Sequence, residues 1–347
     1  MTATTMQAAQ YDRYGPPEVL TVRTVPTPTP ARGEVLVRVH GSSVNLGETL
    51  IRSGAMRPVT GWRFPKATAA DFAGEVAAVG PGVDRLHIGQ PVWGYLGGLR
   101  GGAAAEYVVA KQAWAAPAPA SVDLATAAAL PTVAMAALQA LRDTVKLTAG
   151  ERLLVIGASG GVGSAAVQLG RAMGATVTAV AGADSAELCR QLGAERVIDY
   201  ATTEPSEIDE DFHVILDCHG TALRAYRRLL RRGGRMVTLA SSGAGAAFAL
   251  LSTVLPGPRV RLFTLLIRRR RDDLETLARY VDRGELQPVV EQEYPVADIA
   301  DAHRAAESGH ARGKRLIRVL SDGTTGRPET GAHRTARPLG TEDHRDV

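Results

Sequence analysis

The residues best placed to do chemistry are glycines. Gly157, Gly160, Gly161 and Gly163 fall within seven residues, after an apolar run from Leu153 to Ile156. Val162, Ala166, Leu169 and Met173 then recur every three or four residues, which predicts a helix. A β-branched run, Thr176 to Val180, follows. In a strand–turn–helix–strand unit of this kind, the helix N-terminus offers free N–H groups and a dipole to an anion. Glycines let the backbone approach a pyrophosphate. The strict G-x-G-x-x-G spacing is not met, since the turn reads Ala158-x-Gly160-x-x-Gly163 with Gly157 in front. A tightly packed strand-to-helix turn is the alternative, and the flanking strands and helix carry the dinucleotide reading. Ser159, Gly160, Gly161 and Val162 are expected to present N–H groups to the pyrophosphate.

The elements around this turn follow in order. Before it, short strands alternate with Gly and Pro: MQAAQY, Val19 to Val25, EVLVRVHGSSVN, DFAGEVAAV, GQPVWGY and AAAEYVVA. They suggest a partly open barrel. From Ser121 the chain turns Ala/Leu-rich and helical, with a break expected at Pro131. VIDY at 197–200, FHVILDCHG at 212–220 and GGRMVTLAS at 233–241 read as further strands, which implies a parallel, doubly wound sheet. Residues 243–267 are apolar and irregular, fitting an outer strand or a self-association patch. Two amphipathic helices, in DDLETLARYVDRG and ADIADAHRAAESG, precede the strand KRLIRVL. The predicted architecture is α/β. A catalytic barrel-like domain covers 1–121 and 265–320, a nucleotide domain 122–264 and a disordered tail 321–347.

Composition narrows the function classes. The chain has 347 residues and a net charge of +4, and 45% of it is apolar. No apolar run reaches the ~18 residues that span a membrane, and the N-terminus lacks a signal-peptide layout. Cys189 and Cys218 form no disulfide framework, so a cytoplasmic location is expected. The basic excess includes Arg268 to Arg271. A solvated face is preferred there over a nucleic-acid site, because no aromatic residue interrupts the run to stack bases.

Several stretches together resemble the zinc-independent quinone-oxidoreductase branch of the medium-chain dehydrogenase/reductases. They are SSVNLGETLIRSG, DFAGEVAAVGPGV, AAEYVVA, GASGGVGSAAVQLGRAMGA, LGAERVIDY, the segment near LDCHG, and GHARGKRLIRV. They run in family order over nearly the whole chain before the tail. The resemblance implies a Rossmann domain inside a split, GroES-like catalytic domain. It also implies a nicotinamide cofactor in the cleft, usually NADP(H), and a homodimer.

Departures from the family pattern matter. Ala70-Asp71-Phe72 stands where the zinc branch carries Gly-His-Glu, and His40 and His87 read as structural or exposed, so no metal site is expected. Leu50 replaces a Tyr of the reductase branch, and Glu48 stands where an Asp is usual. The second nucleotide-domain strand ends in Ala181-Gly182 with no Asp or Glu to accept from a ribose 2′-OH. That favours NADPH over NADH and leaves NADH open. Ser185 takes the place of the family's basic residue, beside an unfavourable Asp184. By the resemblance, Tyr200, Ser241 and Lys314 join the cofactor-binding residues; Tyr200 reads equally as a strand-end aromatic and Lys314 as a solvated loop lysine. Asn45 matches the family Asn near the nicotinamide and would donate to a substrate carbonyl or fix the ribose, or else cap a turn. Arg52 is the second catalytic candidate, as a cleft cation, or else pairs with a barrel carboxylate. Ile51–Trp62 and Tyr95–Gly101 are expected to set substrate specificity. The expected activity is hydride transfer from NAD(P)H to a quinone or other conjugated carbonyl (enone or enoyl). The alternative is an NADPH-binding protein with an RNA-binding or sensor role.

Overall fold

The strand beginning at Glu34 organises one half of the molecule, because it pairs on both sides and its far end carries the site. The computed structural model describes residues 3–97, 99, 101–239, 260–262, 267–309 and 311–319. In chain order the first part comprises β1 (Thr5–Tyr11), β2 (Thr21–Pro26), β3 (Glu34–Val44), α1 (Leu46–Ser53), α2 (Arg57–Thr60), β4 (Lys66–Ala67), β5 (Asp71–Val79), β6 (Pro91–Tyr95), β7 (Tyr107–Lys111) and β8 (Ala115–Pro117). Helices α3 (Leu124–Ala127) and α4 (Pro131–Leu138) lead into β9 (Arg152–Ile156), α5 (Gly161–Ala172), β10 (Thr176–Ala181), α6 (Ala186–Gln191), β11 (Arg196–Asp199), β12 (Phe212–Asp217), α7 (Leu223–Arg227), β13 (Leu230–Thr238) and β14 (Val260–Leu262). The chain closes with α8 (Arg271–Asp282), β15 (Val290–Pro295), α9 (Ile299–Glu307) and β16 (Lys314–Arg318).

The nucleotide-type half is a six-stranded parallel sheet in the order β11-β10-β9-β12-β13-β14. Both faces are covered, and β9 shows why its sequence reads as a continuous apolar run. Leu153 and Val155 enter one buried cluster, whereas Leu154 and Ile156 enter a second with Val180, Phe212 and Met236. The strand order reverses direction at β9, between β10 and β12, and ligands of such sheets bind outside the carboxyl ends at that point.

The other half is a seven-stranded sheet, β15-β16-β3-β5-β6-β8, with β7 also paired to β3, and a small sheet β2-β1-β4. Strand β16 returns antiparallel to β3, with Arg315 opposite Val44 and Leu316 opposite Ser43. The C-terminal chain thereby completes a sheet begun nearly three hundred residues earlier. This is a mixed α/β protein with a Rossmann-like parallel sheet and a second, mostly antiparallel sheet.

Three expectations need correction or lie elsewhere. Pro131 does not break a helix; it opens α4 at the first helical position, where its missing N–H costs nothing. Within residues 243–267, β14 is a sixth sheet strand, while 240–259 and 263–266 lie outside the described residues, as does the tail at 321–347. Strand β15, parallel to β16, was not legible in the sequence, because VEQEYP lacks an apolar alternation.

Candidate active site

The glycine turn lies at the carboxyl end of β9. Gly157 has φ +72°, in the left-handed region that favours glycine. A Cβ at Gly163 would sit 2.1 Å from the Gly157 carbonyl oxygen, so only glycine lets α5 start this close to the turn. A Cβ at Gly160, in contrast, would meet nothing nearer than that oxygen at 3.5 Å. The space over Gly160, at the N-cap of α5, is therefore open, and the first N–H groups of the helix have no intrahelical partner. That cradle fits a pyrophosphate. Ser159, Gly160, Gly161 and Val162 all lie in it, each part-buried.

A segment from the far end of the chain is pinned to the turn. Gly313 N donates to Ser159 O at 2.8 Å, and Gly160 bridges Gly313. This sets a cation on either side of Gly313. Lys314 goes inward and is 5% exposed, not the solvated loop lysine of one sequence reading. Its Cδ lies 3.0 Å from where a Gly161 Cβ would be. Its Nζ donates to Asn45 Oδ1 at 2.5 Å and to Val44 O at 2.9 Å, and lies 3.7 Å from Asp71 Oδ2. Arg312 goes outward, and its guanidinium donates to the Asp184 carbonyl after β10.

Asn45 ends β3 and caps α1. Its backbone N–H donates to Glu48 Oε2 at 3.1 Å, as in a capping-box pair. Its Nδ2 donates to Glu48 Oε1 at 3.0 Å and to Asp71 Oδ2 at 2.9 Å. Carboxylates on one side and an ammonium on the other fix the amide orientation. Both amide hydrogens are thus used, which corrects the expectation that Asn45 donates to a substrate carbonyl. It retains an Oδ1 lone pair, so it can accept.

Asp71 is the centre of this network. It also accepts from Ser43 Oγ at 2.9 Å and from Thr132 N and Oγ1 at 2.8 and 2.5 Å. Since Thr132 lies in α4, Asp71 ties the two halves together. Glu48 Oε1 also accepts from Ala70 N at 3.0 Å. Burial pushes the Glu48 carboxyl up to about 7; Asp71 adds to this, and the Asn45 amide and Lys314 oppose it. Burial holds the Lys314 ammonium below its usual range against the pull of Asp71 and Glu48.

Arg52 is not a cleft cation. It is 1% exposed, donates to Gly15 O at 2.5 Å and forms an ion pair with Glu307 of α9. This corrects its place among the catalytic candidates: the guanidinium packs α1 against α9. Beside it, His303 is buried against Thr68 Oγ1 at 3.1 Å, and burial pushes it down to about 3, so it stays neutral.

At the adenosine end, Ser185 is buried at the start of α6, with its N–H donating to Gly182 O at 2.9 Å. Tyr200 is 55% exposed, and its hydroxyl lies 3.4 Å from where a Gly182 Cβ would be. Tyr200 thus covers Gly182 across neighbouring strand ends. Ser241 lies outside the described residues. A cleft beside α1 is lined by Tyr11, Glu48, Ile51, Thr60, Lys66 and Leu99. The two segments expected to set specificity therefore face one another there. Leu46 and Leu50 are exposed on α1 at 62% and 43%. Among the described residues no group of three His, Cys, Asp or Glu side chains is placed to hold a metal ion.

The Arg268–Arg271 run is largely engaged. Arg269 stacks 3.8 Å over the Trp114 ring and donates to Leu96 O, Arg270 pairs with Asp143, and Arg271 pairs with Glu275.

A glycine cradle at the switch point of a doubly wound sheet, closed by a strand of a second sheet, has the layout of a dinucleotide-binding site. Comparison with known proteins agrees. Residues 31–120 match the alcohol dehydrogenase GroES-like domain, and residues 192–317 match the zinc-binding dehydrogenase domain. The chain is 33% identical over 323 residues to a chloroplast envelope quinone oxidoreductase homolog of Arabidopsis thaliana, covering 90% of this chain and 98% of that one. It is 32% identical to the mitochondrial NAD(P)H oxidoreductase RTN4IP1 of Homo sapiens, covering 92% of this chain and 90% of that one. The solved quinone oxidoreductase of Coxiella burnetii superposes with a TM-score of 0.83 at 28% identity, covering 91% and 100% of the two chains. The chain belongs to the quinone-oxidoreductase-like branch of the medium-chain dehydrogenase/reductase superfamily.

Proposed function

We propose that this chain is a zinc-independent oxidoreductase that prefers NADPH and transfers hydride to a quinone or another conjugated carbonyl. The observation that carries this reading is the meeting of Lys314 and Asn45 beside the open glycine cradle. When bound, a reduced nicotinamide supplies the hydride. The chain's own residues bind and orient. The first turn of α5 offers N–H groups to the pyrophosphate, and the Asn45 Oδ1 lone pair can accept from a ribose hydroxyl.

Neither Asn45 nor Lys314 is free to protonate a substrate. Both Asn45 hydrogens are taken, and Lys314 is buried with its donors turned to Val44, Asn45 and Asp71. Leu50 is hydrocarbon. Protonation then falls to solvent, which suits quinones, whose reduced anion is already stable. Simple enoyl compounds gain more from a placed donor, each such hydrogen bond being worth about 3 kcal/mol. Zinc independence is supported by Asp71, whose oxygens are occupied by protein donors in the segment where the zinc branch carries ligands. NADPH is supported by the lack of an acid at Ala181 and Gly182. The RNA-binding alternative loses its support in the engaged arginine run. The reading includes a homodimer, on the resemblance alone, and a cytoplasmic location, on two free cysteines.

Anaerobic NADPH oxidation across quinones, enals and enoyl thioesters, with and without a chelator, tests this. Quinones are expected to be fastest and chelation to change nothing. Enoyl thioesters outpacing every quinone, or activity restored only by zinc, would contradict it.

A further inference from the structure

The cleft beside α1 holds two donors that the cofactor does not call for. Tyr11 of β1 and Lys66 of β4 are directly opposite each other in the antiparallel pairing, so their side chains share a face, and both line the cleft. Tyr11 is 1% exposed, yet among the described residues its hydroxyl has no hydrogen-bond partner. Burial pushes the phenol up to about 12, with Tyr14 and Glu48 adding and Arg52 opposing, so it keeps its proton. Lys66 is half-buried, and its Nζ donates to Thr60 O at 2.8 Å, which leaves further hydrogens to give. Among the described residues no carboxylate forms an ion pair with it. Aromatic rings hold the ammonium instead, at 5.7 Å from Tyr14 and 5.3 Å from Phe64. A ring quadrupole attracts a cation but does not neutralise it.

The rest of the cleft says what else an occupant meets. Ile51, Ala67 and Leu99 supply hydrocarbon, and Glu48 links the cleft to Asn45 through the Asn45 amide. Glu48 is no counter-ion for Lys66, since its oxygens are held by Asn45 and by Ala70 N, and burial leaves it largely protonated below about 7. An uncompensated ammonium beside a phenolic O–H suits an oxyanion, because charge-assisted hydrogen bonds are the strong ones. We propose that this cleft selects conjugated carbonyl substrates that also bear an acidic group, a carboxylate or sulfonate, which the Lys66 ammonium and the Tyr11 hydroxyl bind together. This rests on the oxidoreductase reading above and names the substrates of the same site.

The test compares naphthoquinones bearing a propanoate or butanoate side chain with their methyl esters, in anaerobic steady-state kinetics with NADPH. The saturated chain insulates the ring, so acid and ester differ little in intrinsic reactivity and any preference comes from the protein. The parent is expected to favour the better of the two acids over its ester by about 30-fold in kcat/KM, the range of hydrogen bonds to a charged group. Added salt should weaken that preference, as it screens the ion pair. Lys66→Met should bring the ratio close to one, Lys66→Arg should keep most of it, and Tyr11→Phe should lower it about fivefold, with circular dichroism as the folding control. A parent that shows no preference for either acid, or a ratio unmoved in folded Lys66→Met, overturns this inference alone. A parent that reduces neither the acids nor the esters overturns it together with the reading on which it rests.

Discussion

Lys314 Nζ donates to Asn45 Oδ1 at 2.5 Å across a sequence separation of 269 residues. The bond joins the first residue of β16 to the last residue before α1, directly beneath the glycine turn. Asn45 also caps α1, so its substitution combines two effects that different replacements separate. Asn45→Ala removes the cap and leaves Lys314, Glu48 and Asp71 each short of a partner. A loss of about 2 kcal/mol in urea denaturation is expected, with kcat/KM falling at least about tenfold. Asn45→Ser retains a good capping residue, so most of the stability should return while kcat/KM stays low. Full activity in a stable Asn45→Ser protein would show that Asn45 is a cap and nothing more.

Glu48 gives the fold a defined pH dependence. Its carboxyl is pushed up to about 7 from a reference value of 4.5 by burial, with Asp71 adding and Lys314 opposing. Between those values the native state holds a proton that the unfolded chain has released. Raising the pH through that window therefore favours unfolding, and the effect levels off above about 7. The contribution is on the order of 3 kcal/mol. Denaturation of the parent and Glu48→Gln at about pH 5 and about pH 8 reads it out. The parent should lose more stability than the variant on going to the higher pH; parallel losses would contradict the assignment.

Arg52 belongs to the scaffold. Arg52→Met keeps the volume of a 1% exposed side chain but releases Glu307 and the Gly15 carbonyl. Glu307 is 34% exposed and can be rehydrated, so the cost is expected at the low end for a broken buried pair, about 3 kcal/mol. The kinetic constants of the folded fraction should stay within about twofold, as for a site away from the chemistry. A large fall in kcat with unchanged stability would return Arg52 to the cleft.

The parts legible in the sequence were those written locally. The glycine turn, the β9–α5–β10 unit and the caps of α1 and α8 depend on residues within a few positions of one another. Gly284, for instance, closes the segment DDLETLARYVDRG and has φ +71° just past the end of α8, where a glycine favours a helix stop. The absence of an acid after β10 was equally visible. What the sequence hid was long-range pairing. Arg52 and Glu307 are 255 residues apart, and nothing local to α1 shows that α9 will lie against it. Arg312 sits in a segment noticed for its neighbour Lys314, and its position against Asp184 follows only from the bridge between Gly313 and Gly160. Asn45 was found by its place in a motif, yet its donors turned out to be committed, because Glu48 and Asp71 converge on it from different elements.

The central claim is that hydride passes directly from the nicotinamide to a conjugated carbonyl in this site. The most direct measurement uses NADPH carrying deuterium at C4, each epimer in turn, with an activated enone under anaerobic conditions, for the parent and for Gly160→Asp. The Asp side chain would fill the space over the cradle that a Cβ at Gly160 finds open. The account predicts that one epimer delivers its deuterium to the β-carbon of the product, one label per turnover. It also predicts that folded Gly160→Asp neither binds NADPH nor transfers label. An unreduced enone in the presence of bound NADPH, or product free of label from both epimers, would contradict it.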